Sequence, residues 1–214
     1  MKSKFAALLV VLAIPAISES HSQLFMKPQM RLVANSQQDI AEIRSVWRFE
    51  AISSAVLLGE FDQNVSGTLE YLEREQIAKA VRSMTSPFTA ETHLVQNGHE
   101  VPLTAPTGVR IDVIGKELII SYSVMPTASV RAIGRLALWM DDREKSMVFD
   151  FNSDSDMKTS GSVFERCRRE VVRLSAAQAA SRNQAMATEM FFDNPSSSKD
   201  PALTATRLEI DCPE

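Results

Sequence analysis

The sequence lacks the short motifs that most often carry enzyme chemistry. It has no Gly-x-Ser-x-Gly, no His-Glu-x-x-His and no glycine-rich phosphate-binding loop, and only 7 of its 214 residues are glycine. Serines are frequent, but the three histidines offer none of them an obvious base. Because no catalytic set of residues is visible, the sequence predicts a protein that is not an enzyme.

An excess of basic residues is also absent. The chain has 23 Lys and Arg against 27 Asp and Glu, which gives a net charge of −4, and the two signs are mixed along its length. Proteins that bind nucleic acids usually carry a basic patch or stripe. The composition therefore predicts no nucleic-acid partner.

The apolar run near the start of the chain is too short to cross a bilayer comfortably. Residues 5–17 form this run, after two early lysines and before the Ser-Glu-Ser of residues 18–20, whereas a membrane-spanning helix needs about 20 apolar residues. A positive start, a short apolar run and small residues at a cleavage site are typical of a secretory signal peptide. We predict that residues 1–20 are removed on export and that the mature chain begins at His21 and is soluble. An uncleaved membrane anchor is the alternative.

Cysteine is scarce, with Cys167 and Cys212 as the only two. An even pair in an exported chain predicts one disulfide bond. The alternative is two free buried thiols. The absence of a Cys-x-x-Cys motif argues against a redox role.

The pattern of strand and helix segments predicts a single α+β domain over residues 21–214. Its strands are expected to be mostly antiparallel, with a helix-loop-helix inserted at about residues 50–84. Asn97-Gly98 and Gly115-Lys116 are typical of two-residue hairpin turns. The periodicity of apolar residues predicts the other elements. In chain order these are strands over 23–34 and 40–49, helices over 51–61 and 69–84, strands over 88–96, 99–103, 108–114, 117–125, 135–141 and 145–151, a polar loop over 152–162, a strand over 163–174, a helix over 175–192, a loop over 193–201 and a strand over 202–212.

Two finer predictions concern how these elements pack. The first helix is expected to turn Ile52, Leu57, Leu58 and Phe61 towards one side. The strands over 135–141 and 145–151 are expected to pair as a hairpin around residues 142–144.

The segment between the two helices is typical of an EF-hand calcium loop. Such a loop supplies oxygens from positions 1, 3, 5, 7, 9 and 12 of twelve residues, with glycine at position 6. Gly67 and Leu69 occupy positions 6 and 8 as expected. We predict weak calcium binding, with a dissociation constant of about 10⁻⁴ to 10⁻³ M; a loop that keeps the fold without useful ion binding is the alternative. The predicted ligands are Asp62, Asn64, Ser66, Thr68 through its carbonyl, Glu70 through water, and Glu73.

The histidines give a second, weaker metal prediction. After cleavage His21 has a free α-amine beside its imidazole, a pair that can chelate a transition metal such as zinc, nickel or copper; a flexible terminus is the alternative. The Asn97-Gly98 turn pairs Gln96 with His99. It therefore places His93 and His99 on opposite faces of the hairpin, where they cannot easily share a metal.

The order of these pieces resembles the domain-of-unknown-function family number 1007. The similarity is carried by the histidine-bearing start, by VWRFE at residues 46–50, by the loop over 62–73, and by MFFDNPSSSKDPALTATRLEIDC at residues 190–212. Members commonly begin the mature chain with His-Pro-His, and here residues 21–23 are His-Ser-Gln, so one imidazole is missing. The resemblance implies an exported protein, labelled the periplasmic component of an uncharacterised ABC-type transport system and commonly encoded near metal-ion transporters.

These observations predict a non-enzymatic periplasmic accessory protein of metal-ion transport or handling, with a membrane metal-ion transporter as its partner. The alternative is a periplasmic protein-interaction module, with the helix-loop-helix as its docking element and no ion-dependent function.

Overall fold

Two β-sheets and two helices make up the part of the chain that the computed structural model describes, residues 23–142, 144–173 and 205–213. This confirms the predicted α+β class with mostly antiparallel strands. The predicted signal peptide, His21, the helix over 175–192 and the loop over 193–201 lie outside the described residues. The helices are α1 (Ala51–Phe61) and α2 (Tyr71–Ser83), and the strands are β1 (Leu24–Ala34), β2 (Ile40–Phe49), β3 (Ala90–Gln96), β4 (His99–Glu100), β5 (Thr107–Ile114), β6 (Glu117–Val124), β7 (Gly134–Asp142), β8 (Met147–Phe149), β9 (Met157–Ser160), β10 (Arg168–Val172) and β11 (Arg207–Cys212).

The first sheet has the order β5-β6-β2-β1-β8, and β9 also pairs with β1. The predicted β5–β6 hairpin is confirmed, and its turn has Gly115 at φ +64°, a conformation that favours glycine. Strands β1 and β2 also pair antiparallel. Both β8 and β9 run parallel to β1. The edge of β1 that faces away from β2 therefore pairs with segments from distant parts of the chain.

The second sheet has the order β10-β11-β7-β3-β4 and is antiparallel throughout. Its β3–β4 hairpin turns at Asn97-Gly98, with Gln96 opposite His99 as predicted. The Asn97 side chain also accepts the Arg135 backbone N–H at 2.8 Å and lies where a Cβ on Gly134 would stand. Only glycine therefore fits at the start of β7.

The core lies between the two sheets and beneath the helices. Alternate residues of β1 and β2 are buried there, as the period of two requires for strands with one inner face. Trp47, Phe49, Phe88 and Tyr122 form a connected aromatic cluster, with Trp47 and Tyr122 ring centroids 5.0 Å apart. The helices pack over one end of this cluster, where Phe61 stacks on Phe88 at 6.0 Å.

The predicted hairpin between 135–141 and 145–151 is wrong. β7 belongs to the second sheet, whereas β8 pairs with β1 in the first. The buried Asp142 carboxylate turns the chain, because it accepts the backbone N–H of Met147 at 2.7 Å and the hydroxyl of Ser146 at 3.1 Å. The segment after β7 thus passes from one sheet to the other.

The predictions for residues 152–174 are correct only in part. The polar segment over 152–162 contains a short 3-10 turn at Asp154–Asp156 and the strand β9. The predicted strand over 163–174 begins instead with a 3-10 turn at Ser162–Arg166, and only Arg168–Val172 pairs in the sheet.

The disulfide bond between Cys167 and Cys212 is confirmed. The two sulfurs are 2.05 Å apart and the Cα atoms 4.3 Å apart. Cys167 precedes β10 and Cys212 ends β11, so the bond joins two neighbouring strands of the second sheet. None of the described helices is long and apolar enough to cross a membrane.

Candidate functional site

Helix α1 carries the chain into the predicted calcium loop, and serine hydroxyls attach it to the first sheet. Ser53 Oγ accepts the Phe25 backbone N–H at 2.8 Å. Ser54 Oγ donates to the Phe49 carbonyl at 3.0 Å and accepts from the Leu118 N–H at 2.9 Å. These contacts satisfy backbone groups that would otherwise be buried without partners, which stabilises the helix on the sheet.

The prediction that Ile52 lies on the buried side of α1 is wrong. Ile52 is 83% exposed, while Ser53, Ser54 and Leu57 are buried. The helix has the predicted bounds but is rotated, because the two serines provide hydrogen bonds that an isoleucine side chain cannot. Its outer face therefore presents aliphatic side chains to solvent.

Helix α2 leaves the loop and is held against the first sheet by Ile77, Val81 and Arg74. Ile77 and Val81 are fully buried. The Arg74 guanidinium donates to the Leu69 carbonyl at 2.9 Å and to the Ile111 carbonyl on β5. Arg74, the residue that follows the loop, thus anchors the start of α2 to the first sheet.

Asp62, at position 1, organises the first half of the loop. Its two carboxylate oxygens accept the backbone N–H groups of Ser66 at 3.0 Å and of Gly67 at 2.7 Å. Gly67 has φ +78° and nothing within 4 Å of an added Cβ. The glycine is thus required at position 6 by the backbone conformation and not by crowding.

Glu73, at position 12, closes the second half. It is 6% exposed, and its oxygens accept the Gln63 N–H at 3.0 Å and the Glu70 N–H at 2.9 Å. The Glu70 side chain in turn accepts the Glu73 backbone N–H, so the two glutamates form a capping box at the start of α2. One carboxylate therefore ties position 2 to position 9.

The remaining predicted ligands also face one another. Asn64 Nδ2 donates to Glu70 Oε1 at 3.0 Å, and Asn64 Oδ1 accepts the Ser66 N–H at 3.0 Å. Ser66 Oγ donates to the Thr68 carbonyl at 2.9 Å. The structure therefore places positions 3, 5, 7 and 9 in mutual contact through hydrogen bonds.

These contacts do not amount to a preformed metal cluster. Among residues 23–142, 144–173 and 205–213, no group of three or more His, Cys, Asp or Glu side chains is arranged to hold a metal ion. The physical reason is visible in the loop, where Asp62 and Glu73 direct their oxygens at backbone N–H groups and Asn64 faces Glu70. Ion binding at these residues needs a rearrangement of side chains.

The second sheet carries a feature that the sequence analysis missed. His93 stacks on Trp139, with ring centroids 5.2 Å apart and planes 12° from parallel, and His93 Nδ1 lies 3.0 Å from Glu100 Oε1. His93 and His99 lie on opposite faces of the hairpin, as predicted, since Gln96 is opposite His99. The sequence signal for Trp139 is its place in the strand. It lies between Leu138 and Met140, whose side chains point into the core, so its own side chain projects from the opposite face of the sheet, where neighbouring side chains bury it.

The core contains a small polar cluster around Tyr122. Its hydroxyl lies 3.5 Å from Thr92 Oγ1. Ser45 and Trp47 are buried beside it, but Ser45 Oγ and Trp47 Nε1 have no hydrogen-bond partner within the described residues. Burial raises the pKa of Tyr122 to about 12, and the contact with Thr92 opposes this shift. This cluster is closed to solvent and supports the fold.

Comparison with known protein families gives a match over almost the whole chain. The family described as "Protein of unknown function (DUF1007)" matches residues 6–212, so the chain belongs to this family. No curated protein matches the chain significantly. The family description assigns no activity, so any function must be argued from the residues.

Proposed function

We propose that this protein is an exported periplasmic accessory protein of metal-ion transport or handling, that it catalyses no reaction, and that it binds calcium weakly at residues 62–73. The observation that supports the calcium site most directly is the closure of the loop by Glu73. Position 12 is where a calcium loop carries its bidentate glutamate, and here that glutamate lies beside position 2 and in the first turn of the outgoing helix.

The loop has acceptor capacity to spare. An ionised carboxylate has about four lone-pair sites, and the Glu73 carboxylate accepts one backbone N–H at each oxygen. Both oxygens therefore retain a site for a cation. The Asp62 carboxylate has the same spare capacity, since the backbone N–H groups of Ser66 and Gly67 each donate to one of its oxygens.

The expected affinity is low. Calcium needs six to eight oxygens, and only Asp62, Glu70 and Glu73 among the predicted ligands are charged. The ion must also separate Asn64 from Glu70, which are hydrogen-bonded to each other. These features support a dissociation constant of about 10⁻⁴ to 10⁻³ M, in the extracellular range.

The family membership supports the wider proposal. As the family resemblance implies a place near metal-ion transporters, we propose such a transporter as the membrane partner. The α-amine and imidazole of His21 provide a second site, for zinc, nickel or copper, once the signal peptide is removed.

Native mass spectrometry of the chain beginning at His21 tests this function. Calcium, zinc, nickel and copper are each added at millimolar concentration, and retention of calcium or of a transition metal is the expected result. Replacement of Asp62 and Glu73 should remove calcium only, and a His21→Ala chain should lose the transition metal only. Retention of no ion overturns the proposal.

A second candidate function is a periplasmic interaction module with no ion-dependent role. It is favoured by the outer face of α1, where Ile52 is 83% and Val56 45% exposed one turn apart, and by Leu72 on α2, which is 72% exposed. Exposed apolar surface of this kind often marks an interaction site. Recovery of one partner equally with and without chelator, and its loss in an Ile52→Ser/Val56→Ser variant, would favour this function.

A further inference from the structure

A cavity of about 670 Å³ lies against the outer face of the second sheet, the face opposite the core. On β7, Leu138 and Met140 are buried towards the core, and Trp139 and Ala137 line the cavity. The volume falls within the range of small-molecule sites. The helix-loop-helix contributes no lining residue, so the cavity is separate from the proposed calcium site.

The floor of the cavity is aromatic. His93 stacks on Trp139, with ring centroids 5.2 Å apart, and is held by Glu100 at 3.0 Å. Both rings belong to residues that line the cavity. A flat aromatic floor suits a ligand that carries an apolar side chain.

A row of charges crosses the sheet at one end of the cavity. Arg168, Asp211 and Arg135 lie directly opposite one another on β10, β11 and β7. The side chains of Arg168 and Arg135 make no hydrogen bond or ion pair within the described residues. Two unpaired guanidinium groups on either side of a single carboxylate leave this row with an excess of positive charge, suited to an anionic group.

The next row along the strands has the opposite sign. Glu170 and Glu209 lie directly opposite each other on β10 and β11. Arg207 donates to Glu209 at 2.7 Å, but the Glu170 carboxylate makes no such bond within residues 23–142, 144–173 and 205–213. Like charges directly opposite on one sheet face are unfavourable. A cationic group between these two glutamates would relieve the repulsion.

The distance between the rows sets the size of the ligand. Neighbouring rows on one face are two residues apart, which is roughly 7 Å along a strand. Two residues of extended chain span a similar length. We propose that this cavity binds a short zwitterionic peptide of about two residues, with its carboxylate at Arg135 and Arg168, its ammonium group at Glu170 and Glu209, and an apolar side chain on the Trp139–His93 pair.

A ligand of a single charge fits the lining less well. The cavity is lined by three arginines and four carboxylates, so a purely anionic ligand meets the glutamate row and a purely cationic ligand meets the arginine row. Charge and spacing therefore converge on the same class of ligand.

Isothermal titration calorimetry of the full chain with the dipeptide Phe-Ala tests the proposal, in the presence of a calcium chelator so that the loop plays no part. The Trp139–His93 pair lies one row beyond the glutamates, so the aromatic side chain belongs on the residue with the free amine. Phe-Ala should bind, and its C-terminal amide and its N-acetyl form should each bind at least about tenfold more weakly, since each loses a charge-assisted contact. The Arg135→Gln/Arg168→Gln variant should bind Phe-Ala and its amide equally. Glu170→Gln should likewise reduce the preference for the free amine.

The control variant is Arg110→Gln, an exposed arginine on β5 in the other sheet, which should bind as the wild type does. Thermal melts check that every variant is folded. Trp139 can report directly, because the chain has only two tryptophans and Trp47→Phe leaves it as the sole indole. Absence of binding at about 10 mM Phe-Ala, equal binding of the free and blocked forms, or an unaltered preference in the arginine variant would overturn the proposal.

Discussion

Glu73 Oε1 accepts the backbone N–H of Gln63 at 3.0 Å, so the last residue of the twelve-residue loop holds its second residue. The same carboxylate also accepts the N–H of Glu70 at 2.9 Å. The Gln63 contact joins the end of α1 to the start of α2, and the Glu70 contact caps α2. The side chain that the sequence assigns to the ion therefore also sets the separation of the helices without it.

Glu73→Gln should therefore have two separable effects. An amide nitrogen cannot accept an N–H, so one of the two buried contacts is lost and the free energy of unfolding should fall by about 1–3 kcal/mol without calcium. About 10 mM calcium should raise the melting temperature of the wild type, since binding tenfold above a millimolar dissociation constant stabilises by roughly 1.4 kcal/mol. The Glu73→Gln chain should lose this response.

Two further variants complete that measurement. Glu70→Gln should keep more of the calcium response, because its contact with the ion is expected to run through water. Glu60→Gln, on the exposed end of α1, is the matched charge control and should keep all of it. If the wild-type melt does not change with calcium, the loop is only a turn.

Val65→Asn should stabilise the protein. Val65 is 86% exposed and has φ +55°, a left-handed conformation that is costly for a β-branched residue and tolerated by asparagine. Relief of this strain should raise the free energy of unfolding by about 1 kcal/mol, measured by chemical denaturation. A matched Ile114→Asn change at the end of β5, where an exposed β-branched residue has no positive φ, should give no gain; equal effects at both sites would refute the explanation.

Asp142→Ala should destabilise the fold by about 2–4 kcal/mol, since it leaves several buried or half-buried donors unpaired. The carboxylate accepts from Thr89 Oγ1 at 2.7 Å, from Ser146 Oγ and from the Met147 backbone N–H. Asp141→Ala, at the neighbouring position on the opposite face of β7, is the control and should cost much less. A small effect at Asp142 would mean that the crossing between the sheets is held by β8 alone.

Stability at high pH should depend on Tyr122. Burial raises the pKa of Tyr122 to about 12, above the value of about 10 for an exposed tyrosine. The folded state therefore keeps a proton that the unfolded chain loses, so the free energy of unfolding should fall as pH rises from 10 to 12 and then level off, by roughly 3 kcal/mol in all. Denaturation of the wild type and Tyr122→Phe at matched pH isolates this contribution from that of the lysines. Parallel pH profiles would contradict it.

Loss of the disulfide should lower stability by about 4 kcal/mol in the chain-entropy model, because the bond closes a loop with a sequence separation of 45. Denaturation of a Cys167→Ala/Cys212→Ala chain beside the wild type measures this loss. Peptide mapping after alkylation of the unreduced protein should leave both cysteines unlabelled. A fall in stability under reducing conditions that the double variant does not share would confirm that the bond is responsible.

Local signals in the sequence predicted the local structure well. The Asn97-Gly98 and Gly115-Lys116 turns were correct because a two-residue turn imposes its register on the adjoining residues. The bounds of α1 were also correct, but its buried face was not. Periodicity assumes that aliphatic side chains turn inward, and here Ser53 and Ser54 do so because the strands beneath offer backbone groups that need partners.

Long-range pairing and side-chain partners could not be predicted. β8 has three residues and finds its partner in β1, far away in the chain, so no neighbouring pattern identifies it. In the candidate calcium loop, spacing predicted which residues lie together. It did not predict that Asp62 and Glu73 accept backbone N–H groups, because those bonds depend on the folded path of the loop.

The parallel pairing of β1 with β8 and β9 has a consequence for the order of folding. Leu24 pairs with Met147 and Met30 with Met157, separations of roughly 120 residues. During folding, the outer edge of β1 stays open until the chain up to residue 160 is present and the β7–β8 crossing has formed. An unpaired edge is a template for association with other chains, so the slow step of folding and the step most exposed to aggregation should coincide at this strand.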